Sequence, residues 1–108
     1  MNRQELIALT NSVRDSTLID LTLSRTDDGF DVGMVFEQMS GIRLALSLRK
    51  ATRFSAEIDN SIGFYVVSHC KVFSQGDKFY LSLDPYLEGY EPHDRDNFVV
   101  ICSQIVVV

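Results

Sequence analysis

A chain of 108 residues that is 45% hydrophobic, 23% charged and 10% aromatic has the length of one domain and an ordinary folding composition, which excludes global disorder and allows a core without disulfide or metal staples. The net charge of −5 is uneven, because residues 1–53 carry seven basic and seven acidic groups whereas residues 54–108 carry three basic and eight acidic ones. A surface of that sign repels phosphate, which sets aside nucleic acid and anionic membranes as partners and favours a cationic protein.

In chain order, Asn2 and Glu5 form a capping pair at the start of an amphipathic helix over about residues 3–14, with Leu6, Leu9 and Val13 on one face. The polar cluster Arg14-Asp15-Ser16 ends it. From Leu18 the apolar period becomes two. Ile19, Leu21 and Leu23 alternate with polar residues, Arg25 to Gly29 has turn chemistry, and Phe30, Val32, Met34 and Phe36 resume the alternation, which reads as a hairpin with one apolar face. Gln38 to Gly41 is a second turn. Ile42, Leu44, Leu46 and Leu48 then alternate cleanly with polar or small residues.

Within residues 50–61, Phe54, Ala56 and Ile58 alternate and suggest a short strand. The run from Ile62 to Phe73 reads as one longer strand, and Ser74 to Asp77 as a tight turn. Phe79, Leu81 and Leu83 share the next strand face. Phe98 to Val108 is almost continuously apolar and β-branched, which suits a strand covered on both faces or one that pairs with another chain. Gly33 and Gly63 interrupt strand patterns and mark bulges or close backbone approach. The predicted fold is α+β, mainly β: one N-terminal helix packed on a bent, mostly antiparallel sheet or partly open barrel of about six to seven strands. One domain covers residues 1–108, with the helix at about 3–14 and an antiparallel meander over about 18–108.

No apolar run approaches the length of a membrane span. The N-terminus has a charged start and a four-residue apolar run, too short for a signal core. Cys70 and Cys102 sit in apolar, strand-like contexts without a CxxC motif, and the expectation is two buried free thiols in a reducing cytoplasm. Zinc would need His69, Cys70, His93 and Cys102 to converge, but His69 and Cys70 are strand neighbours whose side chains diverge. The Asp94-Arg95-Asp96-Asn97 segment lacks the glycine and closing glutamate of an oxygen-ligand calcium loop. No metal or other cofactor is expected.

The most informative segment is Asp84 to Asp96. It holds five carboxylates, both prolines, two of four tyrosines and one of two histidines. It has no apolar period, and it nets −4 once Arg95 is counted. A connection of this length lies on the surface and carries function or tolerates disorder. Tyr86 and Tyr90 flank Glu88 at two-residue spacing, and tyrosine suits interface anchors because it buries area yet keeps a polar tip. The bland alternative is that the acids face the cluster Arg43, Arg49, Lys50 and Arg53 and partly neutralise it, where exposed pairs contribute only about 0–1 kcal/mol, or that both regions are simply solvated.

The sequence carries no GxSxG elbow, phosphate-binding loop, GxGxxG or HExxH motif. The leading expectation is therefore a non-enzymatic, acidic, cytoplasmic interaction domain. It binds a cationic protein through residues 84–97, with Asp84, Tyr86, Glu88, Tyr90, Glu91, His93, Asp94 and Asp96 as binding residues. Two alternatives stand beside it: a small-ligand-binding or hydrolytic domain with a pocket near His93, where an adjacent carboxylate would do acid–base work, and a homodimer through Val106-Val107-Val108.

Overall fold

The computed structural model describes residues 1–58 and 65–108. Helix α1 (Arg3–Val13) begins as its sequence dictates. The Glu5 N–H donates to Asn2 Oδ1 at 2.8 Å, and the Asn2 N–H donates to Glu5 Oε1 at 3.1 Å, so two of the orphan amides of the first turn are satisfied reciprocally. Leu6, Leu9 and Val13 are buried. Arg14 leaves the helix in extended conformation and Asp15 takes a left-handed φ of 65°, which turns the chain into the first strand.

Among the described residues nine strands follow: β1 (Thr17–Thr26), β2 (Gly29–Glu37), β3 (Arg43–Ala51), β4 (Arg53–Ser55), β5 (Tyr65–Val66), β6 (Lys71–Gln75), β7 (Lys78–Asp84), β8 (Asn97–Cys102) and β9 (Gln104–Val107). They form two antiparallel sheets, ordered β5-β1-β2-β3-β9 and β4-β8-β7-β6. The helix packs chiefly against β6. The core lies between the sheets and the helix, where Leu6, Val13, Phe36, Leu48, Val67, Leu81 and Phe98 meet.

Two strands switch sheets at one corner. After β3 the chain crosses at Thr52, whose N–H donates to Ile101 O at 2.9 Å, and after β8 it crosses back at Ser103, whose N–H donates to Arg49 O at 3.0 Å. Lys50, beside this corner, has a left-handed φ of 52°. Such switches carry the chain from one packed sheet to the other. They also explain where the sequence reading failed. The run 98–108 is two strands in different sheets, not one, and the sheet order is not a simple meander because β9 lies beside β3 and β8 beside β4. The uninterrupted apolar character of β8 nevertheless has the anticipated cause. Phe98, Val100 and Cys102 join the main core, while Val99 packs with Phe73 and Tyr80 on the opposite face.

The long strand expected over 62–73 is also divided. Residues 62–64 lie outside the described residues, and Tyr65–Val66 and Lys71–Gln75 belong to different sheets. Between them, the Val67 N–H donates to Ser16 O and the Asp15 N–H to Val67 O. These bonds tie the chain to the helix exit and send it into the second sheet. Gly33 makes the close approach its position suggested: a Cβ there would sit 2.5 Å from Thr22 Oγ1. Gly63 lies outside the described residues. No described helix is long and apolar enough to cross a membrane.

Candidate functional site

The connection from β7 to β8, residues 85–96, folds across the outer face of the four-stranded sheet. Register explains why that face receives it. Lys71 stands opposite Ser82, Phe73 opposite Tyr80, Tyr80 opposite Ile101 and Ser82 opposite Val99, and opposed residues share a face. This face carries a stacked Phe73–Tyr80 pair (centroids 4.9 Å apart, planes at 25°) packed on Val99, with Lys71 beside it. A face of this kind has to be covered, and the loop covers it.

Asp96 is the fastening. Its side chain is 0% exposed, that of Lys71 1%, and Lys71 Nζ lies 2.7 Å from Asp96 Oδ2. The same oxygen accepts from the Tyr80 hydroxyl at 2.7 Å and from the His93 N–H at 2.9 Å, while Oδ1 accepts from the Tyr86 N–H at 2.9 Å. Lys71 Nζ also donates to the Glu91 carbonyl at 2.7 Å. Burial alone would favour the neutral acid, but the Lys71 ammonium, the Tyr80 hydroxyl and the two backbone amides outweigh it and hold the Asp96 carboxyl below its ordinary range. Tyr80 is affected in the opposite sense: burial, then its donation to the ionised Asp96, raises its hydroxyl above the usual phenol value. One buried carboxylate thus fixes both ends of the loop through Tyr86 and His93 and its middle through Lys71 and Glu91.

The sequence-predicted residues divide accordingly. Asp96 is interior and fully engaged. Glu88 is turned to the protein's own side chains, with Oε1 accepting from Arg14 Nη2 at 3.1 Å and lying 3.1 Å from His69 Nδ1. Asp84 ends β7 and accepts from Asn97 Nδ2 at 3.3 Å. His93 is spent locally: its ring lies 4.5 Å from that of Tyr86, and its Nδ1 accepts from the Arg95 N–H at 3.0 Å. The guanidinium of Arg95 lies over the Tyr86 ring and that of Arg3 over the Tyr90 ring, at 5.4 and 5.5 Å. Even so, Tyr86, Leu87 and Tyr90 remain 51, 60 and 58% exposed, and among the described residues no hydrogen bond or ion pair involves the carboxylates of Glu91 and Asp94. Of the cation cluster Arg43, Arg49, Lys50 and Arg53, none is paired with the loop's acids; Arg43 lies instead against Glu37 at 3.4 Å.

Sequence reasoning missed Lys71 and Tyr80. A signal was present: on the alternation of β6 and β7, Lys71, Phe73 and Tyr80 fall on the face expected to be wet, and two aromatic residues there imply a cover. The cysteines are free and buried as expected. Burial raises the Cys70 thiol to about 12 and that of Cys102 to about 11, so neither is a nucleophile near neutrality. His69 is exposed and Cys70 buried, so the two diverge. Among the described residues no three His, Cys, Asp or Glu side chains converge as metal ligands. A cleft of about 370 Å³ lies under the loop itself, between Lys71 and residues Leu87 to His93. Comparison with known proteins finds no match: no family model fits this sequence, no curated protein resembles it, and no solved structure shares its fold at a significant level.

Proposed function

We propose that this protein is a non-enzymatic interaction module whose loop 84–97 engages a cationic protein partner. One observation carries the reading: the Asp96 network fastens the loop at both ends while Tyr86, Leu87 and Tyr90 stay more than half exposed beside Glu91 and Asp94, whose carboxylates have no partner among the described residues. A loop fastened in this way has less ordering entropy to lose on binding than a free one. Tyr86 and Tyr90 each keep an arginine over one ring face, and exposed aromatic anchors beside the acids Glu91 and Asp94 have the composition of a recognition surface for an opposite charge. Asp96 supports this surface from within, and Glu88, half exposed, is engaged by Arg14 and His69; neither is one of its contacts. Two buried free cysteines agree with a reducing, cytoplasmic setting.

The test is affinity capture, followed by purification of the captured protein and calorimetric titration against the wild type, Glu91→Gln/Asp94→Asn and Tyr86→Ser/Tyr90→Ser. The expected partner is basic, binds more weakly as salt rises, and loses about tenfold or more in affinity with either double variant, about 1.4 kcal/mol. Equal affinity for all three proteins defeats the reading.

A second reading rests on β9. Among the described residues this strand pairs only with β3. Gln104 to Val108 contains no charge or proline, the devices that normally blunt an edge, and Val107 and Val108 are exposed. Self-pairing there would give a two-fold dimer. Light scattering across a concentration series checks it, and a monomer throughout excludes it.

A further inference from the structure

Strand β6 is the outer strand of its sheet, and its free side opens into a groove. The two-residue turn Gly76-Asp77 makes Gln75 and Lys78 the pair that closes the β6–β7 hairpin. In such a hairpin the closing pair is hydrogen-bonded and the bonding alternates from there. Gln75, Phe73 and Lys71 therefore bond β7, while Val72 and Ser74 direct their N–H and C=O groups away from it. Val72 is buried against the helix, but Ser74 is exposed, and no backbone bond engages it on that side among the described residues. Beside it lies a groove of about 360 Å³ walled by Arg3, Leu6 and Ile7 of α1, Val72, Phe73 and Ser74 of β6, and Tyr90 of the loop. That volume is at the lower end of ligand-sized clefts, about 300–1,000 Å³.

We propose, resting on the loop reading above, that this groove receives a short extended segment of the cationic partner. The segment adds to β6 through a two-hydrogen-bond bridge at Ser74, lays one aliphatic side chain against Ile7, Val72 and Tyr90, and points its next basic side chain at Glu91 and Asp94. Three observations select this occupant. An exposed backbone edge beside an apolar groove matches an extended peptide, whose backbone supplies the bonds and whose alternate side chains fill the groove. Tyr90 belongs both to the groove and to the exposed face of the loop, so the two surfaces are continuous. Charge sets the direction, because Arg3 lines the helix end of the groove over Tyr90 and Glu91 and Asp94, unpaired among the described residues, follow Tyr90 in the loop.

The probe is a blocked five-residue peptide alternating lysine and valine, titrated into isotope-labelled protein and followed by amide chemical shifts. Controls alternate glutamate with valine and lysine with serine. Shifts are expected at Leu6, Ile7, Val72, Phe73, Ser74 and Tyr90 with the lysine–valine peptide only. Ser74→Pro removes the outward donor and leaves the bonds to β7 intact, so it weakens binding about tenfold. Ile7→Ser, on the helix and independent of the strand, weakens it as well, with an unchanged circular dichroism spectrum confirming both folds. Shifts confined to residues 86–94 overturn the groove and leave the loop reading standing. Equal binding of the lysine–serine peptide, or no loss in Ser74→Pro, also overturns it. Absence of any shift overturns it too, and the loop reading is then decided by the capture experiment alone.

Discussion

Asp96→Asn is the sharpest perturbation of this structure. The amide keeps the shape of the side chain but removes the charge that balances a lysine whose side chain is 1% exposed. It also replaces one acceptor by a donor where four donors converge: Lys71 Nζ, the Tyr80 hydroxyl and the N–H groups of Tyr86 and His93. Breaking a buried pair from one side costs about 3–5 kcal/mol, because the surviving charge is left uncompensated. Against a total stability of about 5–15 kcal/mol that is a large fraction. At about 4 °C per kcal/mol for a domain of this size, the lower bound already lowers Tm by about 12 °C.

Urea unfolding with linear extrapolation reads the free energy, and circular dichroism reads Tm. The companion Lys71→Met/Asp96→Asn removes both charges together and is expected to recover about 2–3 kcal/mol relative to the sum of the single variants. Hydrogen exchange supplies a local readout. Amides in residues 86–93 lose protection in Asp96→Asn before the sheets do, because the Tyr86 and His93 N–H groups lose their acceptor. A loss below about 1 kcal/mol, or strictly additive single variants, would refute the reasoning and make the loop an independent appendage.

Other expectations follow from the same contacts. Because the folded Asp96 titrates below its unfolded value of about 3.9, its contribution is complete above that pH and is lost as pH falls through the folded pKa; Asp96→Asn should flatten this acid limb in a stability–pH series. Tyr80→Phe removes a hydrogen bond to a charged acceptor and should cost about 1.5–3 kcal/mol by urea midpoint, with the stacked ring retained. Asn2→Ala deletes the helix cap and should cost about 0.5–2 kcal/mol in the same assay. Cys70 and Cys102 should resist a thiol reagent at pH 8 in the native protein and both react in concentrated urea, since burial holds their thiols at about 12 and about 11; rapid native labelling would contradict the packing.

Periodicity and turn chemistry are local properties, and wherever local interactions decide the structure the sequence was legible. The capping box of Asn2 and Glu5, the buried stripe Leu6, Leu9 and Val13, the pairing of β1 with β2 and the Gly76 turn all followed from spacing alone, whereas Ile19 and Leu23, expected on the apolar face of that hairpin, are exposed, the register having shifted between Leu18 and Asp20. So did the burial of both cysteines. The corner was not legible. At Thr52 and Ser103 the chain changes sheets through backbone bonds to Ile101 and Arg49, about fifty residues away in sequence, and the polar pair Ser103-Gln104 that interrupts the apolar run does not by itself announce a change of sheet.

The loop shows the same division. Its acids, tyrosines and prolines were evident, and composition by itself established a polar, surface-lying connection rich in negative charge. Which acid would be buried was a tertiary decision. Asp84, Glu88, Glu91, Asp94 and Asp96 are the same functional group, and only the folding of β6 and β7 into one face brings Lys71 and Tyr80 to the place where Asp96 enters. A carboxylate can be desolvated only where several donors already stand together, and that meeting is a property of the assembled sheets, not of any stretch of chain.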